Sequence, residues 1–252
     1  MNAVERVVVG HLYPSYLNIY ADRGNIAVLA ARAAWRAVEL DVVTIGPGDP
    51  TPLEVDLFYV GGGQDREQAL IAPDLSARGP AIADAVAGGA AALAVCGGYQ
   101  LLGRFYRGRD GEEMAGAGVL PLYTVAGERR MIGDVLLESE LEPGVVRTVA
   151  GFENHAGRTI LDDGAEPLGR VVSGFGNDGE SGLEGCRLGR ALGTYLHGPL
   201  LPRNPWLADW LLTQALSHRT GEVPVLEPLA DELEAEAHEV SSARARSRGG
   251  RY

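Results

Sequence analysis

Lysine is missing altogether: all 22 basic residues are arginine, against 34 acidic ones, for a formal net charge of −12. So acidic a chain is poorly suited to a nucleic-acid backbone, and the arginine bias reads as genome composition rather than chemistry. Cysteine is almost as scarce. Cys96 and Cys186 form no CxxC pair and no Cys/His cluster with metal-ligand spacing, which excludes a structural zinc site and fits a reducing compartment. No apolar run approaches the length of a membrane span, and residues 1–6 lead into a strand without the basic and apolar regions of a leader, so a soluble cytoplasmic protein is expected. Internal repeats are also absent. What remains is a 252-residue chain with 46% hydrophobic residues, enough for one α/β domain with a real core.

In chain order, strands are expected at 7–9, 41–45 and 56–60, with a helix after the loop 11–24 that Asp22 would cap. The third strand runs into Gly61-Gly62-Gly63-Gln64-Asp65, a triplet whose backbone N–H groups can face a ligand. A returning helix then feeds the apolar run 90–95, which ends at Cys96-Gly97-Gly98 and a helical segment. Beyond it the pattern predicts antiparallel additions to the same sheet at 118–120, 129–137 and 145–149, a polar loop at 151–159, and a strand that ends at His197. Asn204 and Pro205 open an amphipathic helix. Residues 1–225 form the expected domain; 226–252 turn acidic and helix-prone, and the Ser/Arg/Gly tail 241–252 is expected to be disordered.

A lone cysteine is more often packed than reactive, but strand, Cys96, two glycines and helix is a corner that lifts the thiol out of the sheet. Gly97 and Gly98 clear space for a substrate, and the helix start favours a thiolate. Such a nucleophile needs a base and two oxyanion donors. Of five histidines, His155 and His197 are the serious bases, and His197, at a strand end, is favoured. Expected donors are the N–H of Gly97 and one from Gly62 or Gly63.

VCGGYQLLG around Cys96, with YLHGP around His197, resembles the class I glutamine amidotransferases of the cobyric-acid-synthase-like branch. FYVGGGQDREQ, RRMIGD and GFENHAGRT narrow the resemblance to glutaminase subunits of lipid II isoglutaminyl synthases, over residues 7–216. It implies a flavodoxin-like three-layer α/β sandwich with a mostly parallel central sheet and antiparallel additions. It also implies hydrolysis of L-glutamine through a Cys96 thioester, with no cofactor or metal in this chain. Ammonia would pass to a Mur-ligase-like partner of the MurT type, binding ATP and magnesium, which forms a heterodimer and amidates the α-carboxylate of D-glutamate in lipid II. Arg130 matches the family arginine expected to hold the substrate carboxylate, while Gln64, with Asp65, is a weaker choice for its ammonium end. Many class I enzymes carry a glutamate two positions after the histidine; here Pro199 stands there, so no local acid is expected to orient His197 and a partner acid would complete the triad. Two alternatives stay open: corrinoid amidation, and a non-catalytic subunit of the same fold.

Overall fold

The structure, a computed structural model, describes residues 5–19, 22–52 and 54–248. Residues 1–4, on which the leaderless start was read, and 249–252, the end of the expected disordered tail, lie outside the described residues. The chain opens with β1 (Arg6–Leu12), α1 (Arg23–Ala34) and β2 (Glu39–Ile45), the expected crossover unit. Next come β3 (Leu57–Val60), α2 (Asp65–Ala87), β4 (Ala91–Val95) and a short α3 (Gly97–Leu102). Every residue of β3 and β4 is buried, as strands covered on both faces must be. Two small strands, β5 (Phe105–Arg107) and β6 (Glu113–Ala115), precede a long hairpin of β7 (Leu122–Glu142) and β8 (Val145–Leu161). Then follow β9 (Gly169–Ser173), β10 (Leu183–Glu184), β11 (Cys186–Leu188), β12 (Ala191–Thr194), α4 (Pro205–Thr220) and α5 (Glu232–Arg248).

One sheet runs β11-β12-β4-β3-β1-β2, parallel throughout except for the antiparallel edge strand β11. Its order reverses between β1 and β3, because β1 is followed by β2 on one side and β3 lies on the other. Loops leaving the carboxyl ends of these two strands diverge there and open a crevice, where ligands of such sheets bind. The loop before Asp22, the Gly61–63 turn, Cys96 and His197 all follow strand carboxyl ends on that edge.

Three expectations fail here. Apart from β11, the antiparallel strands do not extend the first sheet; they form a second one, β10-β9-β7-β5-β6 with β8 on β7, and 118–120 is not a strand. Segment 151–159 is not a loop but the middle of β8, where Glu153, His155, Gly157 and Thr159 are buried in strict alternation. Its polar residues occupy the inward face of a strand, a pattern of period two that polarity alone disguises. Finally, 241–248 is helical rather than disordered. Ser173 Oγ donates to the Ala245 carbonyl at 2.7 Å, Arg244 pairs with Asp134 at 2.8 Å, and Ala245 is buried against Leu136 and Ala150.

Candidate active site

The corner at Cys96 is a strained one. Cys96 has φ 49° and ψ −107°, a region costing a non-glycine residue about 1–3 kcal/mol, between the fifth buried residue of β4 and the first turn of α3. Its N–H donates to the Thr194 carbonyl of the neighbouring strand at 2.8 Å, and the Gly98 N–H donates to the Gly61 carbonyl at 3.1 Å, so the corner is tied to both flanking strands. The glycines are required. A Cβ on Gly97 would stand 2.8 Å from the Gly63 oxygen and 2.9 Å from the Gly63 nitrogen, and one on Gly98 would stand 2.7 Å from the Gly61 oxygen. Gly97 and Gly63 are therefore side by side, and Gly63 lines the same cleft as Cys96. With six residues, α3 is too short to lend much dipole, and the charge partner of Cys96 is His197.

His197 lies three residues past β12, fully buried, and is clamped to the second sheet by paired backbone bonds with Phe152, of 2.7 and 3.3 Å. Burial disfavours its protonated form. The charge on Cys96 and the hydrogen bonds with Asp22 and Cys96 outweigh that penalty and push the imidazole up to about 10. No acid follows His197 in the sequence, as Pro199 implies, but a carboxylate from far along the chain approaches it: Asp22 Oδ1 stands 3.5 Å from Nδ1. Asp22 occupies the N-cap position of α1, as expected, but makes no cap hydrogen bond with its side chain. Its Oδ2 instead accepts the Gly62 N–H at 2.7 Å. Of the expected triplet donors, Gly62 is thus committed to Asp22, while Gly63 lines the cleft.

That cleft, about 740 Å³, joins Cys96 to Gln64, Gln68, Gln100, Tyr106, Arg130 and His155. Arg130 lies within an irregularity in the β7–β8 pairing between Ala126 and Met131 and donates from Nε to Asn154 Oδ1 at 2.9 Å and from Nη2 to the Asn154 carbonyl at 3.1 Å. Arg129 faces a different groove, with Met131, Arg158 and Phe175. Gln64 holds the N-cap position of α2 on the cleft rim. Gln68 was missed by sequence reading: 2% exposed, it donates to the Gly63 carbonyl and to Gln100 Oε1, both at 3.2 Å, and its own Oε1 has no partner among the described residues. Its position one turn into α2, after the glycine triplet, was the available signal.

His155 lines the cleft yet is built as a neutral ring. Burial lowers its affinity for protons despite the Glu153 carboxylate, Nδ1 meets the Gly157 carbonyl at 2.9 Å, and the ring stacks on Tyr195 with centroids 3.4 Å apart. It stitches the two sheets together. The Tyr195 hydroxyl lies 2.6 Å from Thr159 Oγ1 and accepts from Gln100 Nε2 at 3.2 Å, carrying the network from the second sheet to the cleft. The other histidines are elsewhere: His11 lies inside β1 rather than on the opening loop, and burial lowers it to about 4; His218 pairs with Asp56; His238 contacts Thr148. Cys186, in β11, is fully buried, which raises its thiol to about 12 and leaves it inert. Among the described residues no group of three or more His, Cys, Asp or Glu is placed to hold a metal ion.

Residues 8–205 match the model of the CobB/CobQ-like glutamine amidotransferase domain. Over 217 residues the chain is 41% identical to the lipid II isoglutaminyl synthase (glutamine-hydrolyzing) subunit GatD of Staphylococcus aureus, covering 86% of this chain and 87% of that protein. Against the subunit of the same name from Streptococcus pneumoniae the identity is 39% over 241 residues, covering 93% and 91%. A cobyric acid synthase of Methylobacterium nodulans is 33% identical over 77% of this chain but only 40% of its own length. A chain in the solved structure of PurLQS from Thermotoga maritima superposes with a TM-score of 0.54 at 15% identity, over 84% of this chain and 95% of that one, a likeness of fold.

Proposed function

The chain belongs to the CobB/CobQ-like glutamine amidotransferases, and on that footing we propose that it hydrolyses L-glutamine as the ammonia-supplying subunit of a lipid II isoglutaminyl synthase. The observation that carries this reading is the single cleft that joins Cys96, coupled to His197, with Arg130. Arg130 receives the substrate α-carboxylate in its planar fork, and Gln64 and Gln68 offer acceptor oxygens to its ammonium and amide groups. The Cys96 thiolate attacks the side-chain amide carbon. The oxyanion that forms is held by the N–H groups of Gly97 and Gly63, two residues that pack against each other where the cleft meets Cys96. His197 gives its proton to the departing nitrogen, releasing ammonia, and then activates the water that cleaves the thioester to glutamate.

Ammonia on this reading passes to a Mur-ligase-like partner, which spends ATP with magnesium to amidate the α-carboxylate of D-glutamate in the lipid II stem peptide, giving D-isoglutamine in the cytoplasm. Support for the partner is that both relatives matched over most of their length are named as subunits. Corrinoid amidation has less behind it, since the chain spans 40% of the cobyric acid synthase it matches, at lower identity. The test is glutamate release by the full-length chain, alone and with the candidate synthetase, ATP and lipid II, with stem-peptide amidation read by mass spectrometry. Glutamate release no faster than from the Cys96→Ala variant under both conditions rejects the glutaminase reading.

A further inference from the structure

We propose that Arg158, which stands outside the cleft, is a positioning residue for substrate recognition: with Arg109 it clamps the backbone of the bulge that presents Arg130 to the substrate carboxylate. The proposal rests on the glutaminase reading, with Arg130 as its carboxylate anchor, and adds to it what holds that anchor in place.

The pairing of β7 with β8 stops at Ala126, opposite Gly157, and resumes at Met131, opposite His155. Between these points residues 127–130 of β7 face the single residue Ala156 of β8. A strand that carries more residues than its partner leaves backbone groups without ladder bonds and bends out of the sheet. The bend brings Arg130 into the lining of the Cys96 cleft, while Arg129 faces the neighbouring groove only. A segment released from its ladder is free to move unless other donors take its carbonyls.

Two further arginines do so. Arg109, in the turn between β5 and β6, donates to the Gly127 carbonyl from Nε at 3.2 Å and from Nη2 at 2.8 Å, and to the Glu128 carbonyl from Nη2 at 2.7 Å. Arg158, in β8, donates from Nη2 to the Arg129 carbonyl and from Nη1 to the Ala156 carbonyl, both at 3.0 Å. The carbonyls of Gly127, Glu128 and Arg129, which lead up to Arg130, are thus all held by guanidinium groups. The approach of Arg158 requires the glycine: a Cβ on Gly127 would stand 2.8 Å from Arg158 Cζ and 2.9 Å from the Ala156 oxygen.

Arg158 is partly buried and Arg109 exposed, so water competes less with the bonds of Arg158 and its brace is the stronger. Both terminal nitrogens of Arg158 are committed to backbone, and the residue lines the groove with Met131 and Phe175 rather than the cleft. It therefore acts through Arg130 and not on the ligand. Its bond to the Arg129 carbonyl fixes the Arg129–Arg130 peptide, while Asn154 fixes the guanidinium at the far end of the side chain. A recognition group held in place beforehand spares the ligand the ordering cost on binding. The carboxylate lies away from the reacting amide, so this help is equal in the ground and transition states and shows in KM rather than kcat.

The experiment compares the full-length chain as wild type, Arg158→Met, Arg130→Ala and the double variant, with L-glutamine and with its α-amide, which lacks the carboxylate. Methionine keeps the apolar stem and removes the donors. Glutamate release is followed with the synthetase partner present, and L-glutamine binding is measured by calorimetry in a Cys96→Ala background, which needs no turnover. Positioning predicts that Arg158→Met raises KM and Kd for L-glutamine by about threefold to tenfold, no more than loss of the fork itself. It leaves kcat within about threefold and narrows the preference for L-glutamine over the α-amide. In the double variant the Arg158 change adds nothing to Arg130→Ala, because no fork is left to hold. Arg158→Lys, which keeps a charged donor, recovers part of the loss. A purely structural Arg158 would weaken both substrates alike and add to Arg130→Ala. If Arg158→Met fails to fold, Arg109→Met on the exposed side decides: a smaller rise in KM with the same narrowed preference supports the brace, and no rise overturns it. An unchanged KM and Kd in folded Arg158→Met, or full additivity with Arg130→Ala, overturns the proposal while leaving the glutaminase reading intact. Wild-type protein that releases no glutamate with its partner, together with a Cys96→Ala variant that binds no L-glutamine, rejects the glutaminase reading and the proposal with it.

Discussion

Replacing Arg130 by alanine removes the arginine fork proposed to engage the substrate carboxylate, one of two arginines, with Arg66, that line the cleft. Its guanidinium has five N–H donors, of which the bonds to Asn154, of 2.9 and 3.1 Å, use the Nε and one Nη2 proton. That anchoring fixes the plane of the fork and leaves the remaining N–H groups for the ligand. A hydrogen bond to a charged group contributes about 1.5–3 kcal/mol, equivalent to roughly ten- to hundredfold in affinity. Arg130 stands on the exposed rim of the cleft, where water competes, so the expected rise in KM for glutamine is at the lower end, about tenfold, with kcat changed less than about threefold. Arg130→Lys restores charge without the fork and recovers only part of the loss. Asn154→Ala, which frees the fork without deleting it, gives a smaller rise in KM. Arg129→Ala, in the neighbouring groove, changes little. Glutamate release at varied glutamine concentration reads all four, and a glutamine analogue with its α-carboxylate amidated supplies the control: Arg130→Ala discriminates against it less than the wild type does. A larger effect from Arg129→Ala, or an unchanged KM in Arg130→Ala, refutes the assignment.

Cys96→Ala abolishes glutaminase activity without destabilising the fold, since alanine removes a cleft-lining thiol at a strained corner; iodoacetamide labels one cysteine in the native wild type and none in this variant, because Cys186 is fully buried. Labelling of Cys186 in the folded protein contradicts this. Glu184 is held by Thr194 and the Tyr195 N–H, yet burial raises its carboxyl to about 8. The folded state then keeps a proton that the unfolded chain gives up above its ordinary value near 4.5, so this group's contribution to stability falls as pH rises from about 4.5 to about 8. Glu184→Gln should gain in melting temperature relative to wild type across that window, and parallel curves count against it. Asp231→Asn, which loosens the anchor of α5 on the buried Arg32, costs about 1 kcal/mol because Asp209 remains as a second partner and Asp231 is partly exposed. A fall of about 2–4 °C by differential scanning calorimetry is expected, and none if 232–248 were an independent tail.

Local chemistry made part of this site legible, and the distance along the chain hid the rest. Cys96 is announced by its own neighbours: an apolar strand cannot turn within one residue into a helix unless small residues follow, and Gly97-Gly98 say so. His197 is announced by the end of an apolar strand. The polar run around Glu153 and His155 was misread because turn-like composition outweighed its period of two, and that period had meaning only once a second sheet lay against the first. The Ser/Arg/Gly composition of the tail hid the second half of α5 in the same way, since its order depends on Asp134 and Ser173, both remote in sequence.

Asp22 is the sharper case, because its local signal was sound and incomplete. An aspartate just before a helix reads as a cap, and Asp22 does hold that position. What diverts its side chain is the reversal of strand order between β1 and β3, which brings the loop after β1 against the glycine turn after β3, while β12 delivers His197 from 175 residues away. A cap hydrogen bond on an N-terminal turn is worth about 1 kcal/mol, and water can substitute for it. The Gly62 N–H, buried beside the His197 imidazole, has no such substitute. The carboxylate therefore goes where an unpaired partner would cost most. A residue that reads locally as a helix cap is thus drawn to the glycine turn by a strand order that only the folded sheet reveals.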